Sequence, residues 1–179
     1  MKHVIFAAIA LMLSPLSAFA AGSDETAPPT PTATTVKCTD GKVFDEKTKK
    51  CIVPVQGLLD DDTLYGAVRE FAYAGQYDAA LQALAAMSDQ SDGRVLTYLG
   101  FVNRKMGNVE RAMDYYDVAL TLDPNNILAR SYMGQGLVEQ GEIQLAQVQL
   151  DEIVSRGGAG TWAETSLRKA IETGVTYTY

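Results

Sequence analysis

The sequence predicts an all-α solenoid: three helix-turn-helix repeats closed by a C-terminal capping helix, preceded by a disordered tether and a small one-disulfide loop. Two observations carry most of that prediction. From Asp60 onward strand signals vanish and apolar residues recur at helical spacing. Within that stretch three segments share one pattern: AGQYDAALQAL from Ala74, MGNVERAMDYY from Met106 and QGEIQLAQVQL from Gln140. Each has Gly in its second place and Ala in its seventh, and the alanines Ala80, Ala112 and Ala146 are spaced by 32 and 34 residues. A fixed period of this length is the mark of stacked helix pairs that bury a continuous core between them.

The chain begins with what reads as an export signal over residues 1–20. Met1, Lys2 and His3 form a basic start, Val4 to Leu13 an apolar run, and Ala18-Phe19-Ala20 a small-residue cleavage site. The ten-residue run is well short of the roughly twenty that span a bilayer. No Cys follows the expected cut, so a periplasmic or secreted protein is expected rather than a lipoprotein, with no integral membrane span.

Residues 21–36 hold five Thr and three Pro, with no apolar residue larger than Ala until Val36, so they are expected to form a disordered linker. In residues 37–59, Cys38 and Cys51 are the only cysteines, and an oxidising compartment favours pairing them. Their spacing is not that of a redox Cys-x-x-Cys motif, and two thiolates without His or further Cys complete no tetrahedral metal site. Val43-Phe44 between turn-rich flanks reads as one strand of a small hairpin.

The repeat region spans 60–174, with units at about 61–92, 93–126 and 127–160, a capping helix at 161–173 and a tail at 175–179. The middle unit resembles the tetratricopeptide repeat. Leu99-Gly100 stands at its Leu-Gly pair, Ala112 and Tyr116 at its Ala-x3-Phe, and Pro124 at its closing Pro. Leu96 occupies the usual Trp place and Asn103 the usual Tyr place. The third unit keeps Met133-Gly134, Ala146 and Leu150, with Arg130 at the Trp place and Gly158 at the Pro place. The first keeps Leu64, Ala67, Phe71, Ala80 and Leu84, with Val68 where Gly is expected. Small residues at these places let the paired helices approach. Gly75, Gly107 and Gly141 permit positive φ between them. Thr161 can cap the last helix and Gly174 can stop it.

The resemblance implies that the first helix of each pair lines a concave groove. Its groove places fall on Tyr65, Arg69 and Tyr73, on Arg94, Thr97, Phe101, Arg104 and Lys105, and on Ser131 and Gln135 (with Glu139 beside them and Lys169 at the border). Residues 52–179 carry 17 acidic and 9 basic residues, five of the nine on or beside this groove. The expected role is a peptide-binding scaffold whose ligand is a segment of another exported or envelope protein, an acidic or C-terminal segment fitting the arginines and aromatics. The family's Lys/Asn carboxylate clamp is missing, because its places read Tyr65/Arg69, Thr97/Phe101 and Ser131/Gln135.

Composition narrows the alternatives. A net charge of −7 argues against a nucleic-acid partner. His3 is the only histidine, so His-based triads and metal sites are excluded downstream. The remaining acids sit at spacings typical of solvated helix faces, so no enzyme, cofactor or metal is expected. An envelope or glycan-attached adaptor working through the Cys38–Cys51 loop is the rival, a carboxylate-based hydrolase a weaker one, and a homo-oligomer through groove or tail a structural option.

Overall fold

In the computed structural model, residues 26–177 are described; the expected signal peptide, residues 21–25 of the linker and the last two residues lie outside them. Within that range the chain forms α1 (Ala33–Lys37), β1 (Val43–Asp45), β2 (Lys50–Ile52), α2 (Asp61–Tyr73), α3 (Tyr77–Ala86), α4 (Gly93–Lys105), α5 (Val109–Leu122), α6 (Ile127–Glu139), α7 (Ile143–Ile153) and α8 (Trp162–Thr173). Helices α2 to α7 are the three expected antiparallel pairs, stacked in sequence order, and α8 closes the stack against α6 and α7.

Local chemistry sets the boundaries. Asp60 caps α2 by accepting from the Thr63 amide at 2.8 Å, and Asn126 caps α6 by accepting from Ala129 at 2.9 Å. Gly75, Gly107 and Gly141 carry φ of +72°, +85° and +80°, so each pair turns through a left-handed residue that a side chain would strain. Thr161 caps α8, and Gly174 at φ +70° ends it. After α7 the chain widens into a π-type turn over Val154–Gly158 and breaks at Gly157, where the middle unit instead ends at Pro124.

Packing explains the recurring small residues. Ala80, Ala112 and Ala146 are all fully buried. At Gly100 an added Cβ would lie 2.4–2.8 Å from three ring atoms of Tyr116, itself fully buried on α5. The ring has no room to retreat, so Gly100→Ala is expected to destabilise the fold by about 1–3 kcal/mol. Urea unfolding of the two proteins checks this; an unchanged midpoint would mean that α4 and α5 can separate at no cost. Arg130, at the usual Trp place, is buried along its stem. Its guanidinium donates to the Pro124 carbonyl at 2.9 Å and to Gln149 Oε1 at 3.0 Å, so one cation ties the end of one repeat to the next.

The disulfide Cys38–Cys51 forms, and the hairpin pairs Val43 with Ile52, Phe44 with Cys51 and Asp45 with Lys50. The hairpin is built into the solenoid. Val43 is fully buried in the cluster that contains Leu64, Val68 and Phe71 of α2. Gly41 in its turn approaches Ala79 of α3. With α1 it covers the face of the first repeat that a preceding repeat would cover in a longer stack, which meets the capping requirement of a solenoid.

Residues 26–36 depart from the expected disorder. Thr32 Oγ1 accepts from the Thr34 amide and caps the short helix α1, and Thr34 is buried. Thr34 Oγ1 also accepts from the Phe44 amide at 3.2 Å, which joins this segment to β1. The segment has no core-forming side chains, as its composition says. Its order comes from backbone and hydroxyl groups bonded to the repeats.

Candidate functional site

Aromatic side chains from the first helices of all three pairs form the floor of the concave face. Tyr73 of α2 stacks on Phe101 of α4 with centroids 5.6 Å apart, and Phe101 meets Tyr132 of α6 at 4.7 Å. The Tyr73 and Tyr132 hydroxyls lie 2.7 Å apart, and Tyr98 joins Tyr132 edge-on at 5.9 Å. Offset and edge-to-face contacts of this kind are favourable beyond the area they bury. Burial holds the Tyr132 hydroxyl well above its usual pKa, so it stays a neutral hydrogen-bonding group.

Tyr65, on the rim, lies under two cations. The Arg94 guanidinium is 5.1 Å and that of Arg69 5.8 Å from its ring centroid, within cation–π range. Both arginines are half-buried and engaged. Arg94 bonds Asp62 at 2.8 Å and Asp92 at 2.9 Å. Arg69 Nη2 donates to the Ala27 carbonyl at 2.6 Å. Lys105 donates to the carbonyl of Tyr177, and its pKa is pushed down to about 8 by burial and by neighbouring Arg104.

The other expected groove residues are placed differently. Arg104 is buried, its side chain fully, in the α4–α5–α6 junction, where it bonds Glu139 at 2.6 Å. Its Cδ lies beside the backbone of Gly136, so it is an internal charge and not a groove contact. Thr97 donates to the Gly93 carbonyl and accepts from Asn126 Nδ2, which makes it part of the α4–α6 seam. Ser131 and Gln135 are buried against α8, with Ser131 Oγ 3.2 Å from Ser166 Oγ. The capping helix thus covers the groove places of the third unit. Tyr73 and Phe101 are buried in the aromatic floor. Of the ten expected residues, Tyr65, Arg69, Arg94 and Lys105 keep exposed surface. The expected positive groove is correspondingly reduced, because Arg94 and Arg104 are neutralised within the fold.

Sequence reasoning missed a buried acid at the edge of this face, beside the cap of the first repeat. Glu70 of α2 is only 7 % exposed. Its Oε2 accepts from the Thr32 amide at 2.8 Å and from Thr35 Oγ1 at 2.7 Å, and its Oε1 accepts from Thr32 Oγ1 at 2.6 Å. The available signal was an acid set among Val68, Phe71 and Ala72 in the middle of an otherwise core-forming helix.

The chain over these residues runs along α2. Thr26 is buried beside Tyr65, Arg94, Thr97 and Leu128, and its Oγ1 accepts from the amide of Ala163 at the start of α8. Pro29 and Pro31 follow beside Glu70 and Tyr73. At the other end of the groove the tail folds back. Tyr177 meets Trp162 edge-on at 4.7 Å, and Thr176 donates to Glu139. The tail therefore lies on α8 and α6 rather than forming a strand.

Among the described residues no three His, Cys, Asp or Glu side chains converge as a metal site, and no helix is long and apolar enough to cross a membrane. No curated protein and no solved structure matches the chain. The tetratricopeptide-repeat family model matches residues 93–126. That segment is α4 and α5 with the turn that follows them, and helix pairs of the same build flank it on both sides. The matched segment is accordingly a tetratricopeptide repeat by sequence and by build, and repeats of this kind suggest a protein–protein interaction module.

Proposed function

We propose that this protein is an exported adaptor that holds an extended segment of a partner protein on the concave face of its three repeats. One observation carries the reading: an extended stretch of polypeptide, residues 26–32, already lies there against Arg69, Glu70 and the aromatic rim. A groove that satisfies backbone carbonyl and amide groups of one strand has the donors and acceptors to satisfy those of another. The signal-like N-terminus and the disulfide support an oxidising compartment outside the cytoplasm.

The test is crosslinking of the protein in its own cell envelope, comparing wild type with Arg69→Glu and Tyr65→Ala. Both residues keep exposed surface, so the variants are expected to fold. A partner captured by wild type and lost in both variants is the expected result. Equal capture by all three would remove the groove from the function and turn attention to the hairpin and the convex helices. Arg104 is unsuitable for this test, since its replacement acts on stability.

A further inference from the structure

We propose that the concave face is a site for an uncharged, Thr/Pro-rich extended strand, and that residues 26–32 are its resident occupant, displaced when a partner strand of the same chemistry binds. The inference rests on the peptide-binding reading above and names the ligand class and the regulation of that site.

Three features of the occupied groove set the ligand chemistry. Glu70 offers two buried carboxylate oxygens; the end of the strand fills them with the amide and hydroxyl of Thr32, and Thr35 in the first turn of α1 adds a third bond. Charge-assisted bonds of this type are about twice as strong as neutral ones. A carboxylate at those ligand positions would face Glu70 and be repelled. Arg69 donates to the carbonyl of Ala27, the residue directly before Pro28. The prolines Pro28, Pro29 and Pro31 hold the strand near polyproline geometry before binding, which lowers the entropy lost on docking. Of the other cations, Arg94 and Arg104 are paired with Asp62, Asp92 and Glu139, and Lys105 is held by the Tyr177 carbonyl. An acidic ligand has little unpaired charge to meet.

The occupant is also displaceable by construction. Thr30, Pro31 and Thr32 are exposed on their outer side, and no disulfide anchors the strand within the groove. It is tethered through α1 to the hairpin, so release leaves the cap of the first repeat attached. A site closed by its own strand binds a competitor with an affinity reduced by the fraction of time it is open.

The experiment uses the full chain and a fluorescent synthetic peptide, TAPPTPTATTVK, copied from residues 26–37. Three proteins are compared: wild type, Thr32→Ala/Thr35→Ala and the same pair with Glu70→Gln. The paired variant loses two hydroxyl bonds from the resident strand and is expected to bind the peptide about tenfold tighter than wild type or better. Adding Glu70→Gln should reverse that gain, since one acceptor oxygen replaces two. Hydrogen exchange at residues 32–36 should rise in the paired variant. If wild type and paired variant bind equally well, the groove takes peptides but its own strand does not gate it. If the strand exchanges freely and no peptide binds, the peptide-binding reading fails as well. A wild-type dimer that the paired variant converts to monomer would make the occupant a second copy's strand and overturn displacement within one chain.

Discussion

Glu139→Ala is expected to cost about 3–5 kcal/mol, although Glu139 looks like a surface residue. Its side chain is 33 % exposed, while that of Arg104, its partner at 2.6 Å, is fully buried. Among the described residues Arg104 Nε and Nη2 have no hydrogen-bond partner, so the Glu139 carboxylate is what compensates the guanidinium. Removing it leaves a permanent cation in the α4–α5–α6 junction, beside Met113, Tyr116 and the close-packed Gly136. The loss corresponds to roughly 10 °C in Tm or more for a domain of this size. The exposed pair Lys49–Glu46, with side chains 70 % and 73 % exposed, supplies the contrast, and Glu46→Ala should change stability by less than about 1 kcal/mol. Calorimetry on the two variants separates these cases. Equal, small shifts would mean that water reaches Arg104 without the repeats coming apart. Glu139 also accepts from Thr176, so the same variant should loosen the C-terminal tail.

Where Arg104 and Glu139 would meet was only half legible in the sequence. Both were placed on first helices near the groove, from the positions such helices usually expose. The structure keeps the positions and turns the chemistry inward, because Gly136 removes a side chain from α6 just where the Arg104 stem passes. The same limit applies to Ser131 and Gln135. Helix α8 packs directly on α6 and covers the last groove places, a long-range contact that the pattern within the third repeat does not contain. By contrast the repeats themselves were legible in detail. The fully buried alanines, the three left-handed glycines and the starts of α2, α4 and α6 at 61, 93 and 127 all follow from the Gly and Ala pattern.

The linker shows why composition reads core formation and not order. Thr and Pro bury no apolar surface, so a hydropathy argument assigns residues 21–36 to disorder. What fixes residues 26–36 is polar pairing with Glu70, 38 residues along the chain from Thr32. No local window contains both partners. The preceding residue Arg69 was singled out for its charge, and the acid beside it was read as one more solvated helix residue. Its burial follows from its position in the first repeat. It lies on the side of α2 where a longer stack would place another helix pair, and here α1 and the hairpin stand in for that pair.

Opening the disulfide is expected to destabilise the chain by about 3 kcal/mol, the loop-closure value for a loop of this size. Cys38 and Cys51 are 13 residues apart, and the hairpin between them has two strands of three residues each. An isolated hairpin that short does not hold itself together in water. Two attachments make the loss cooperative with the repeats. Val43 is a fully buried member of the α2 core cluster, and the Phe44 amide is bonded to Thr34 of α1. Cys38→Ala/Cys51→Ala should therefore lower the single unfolding midpoint of the helices, as read by far-ultraviolet circular dichroism, and raise exchange at residues 43–52 and 32–36 together. An unchanged helical midpoint with exchange confined to 43–52 would make the hairpin an appendage hung on the first repeat. In that case α2 holds the groove strand through Glu70 without help from the cap, and the strand's release would be independent of the redox state of the two cysteines.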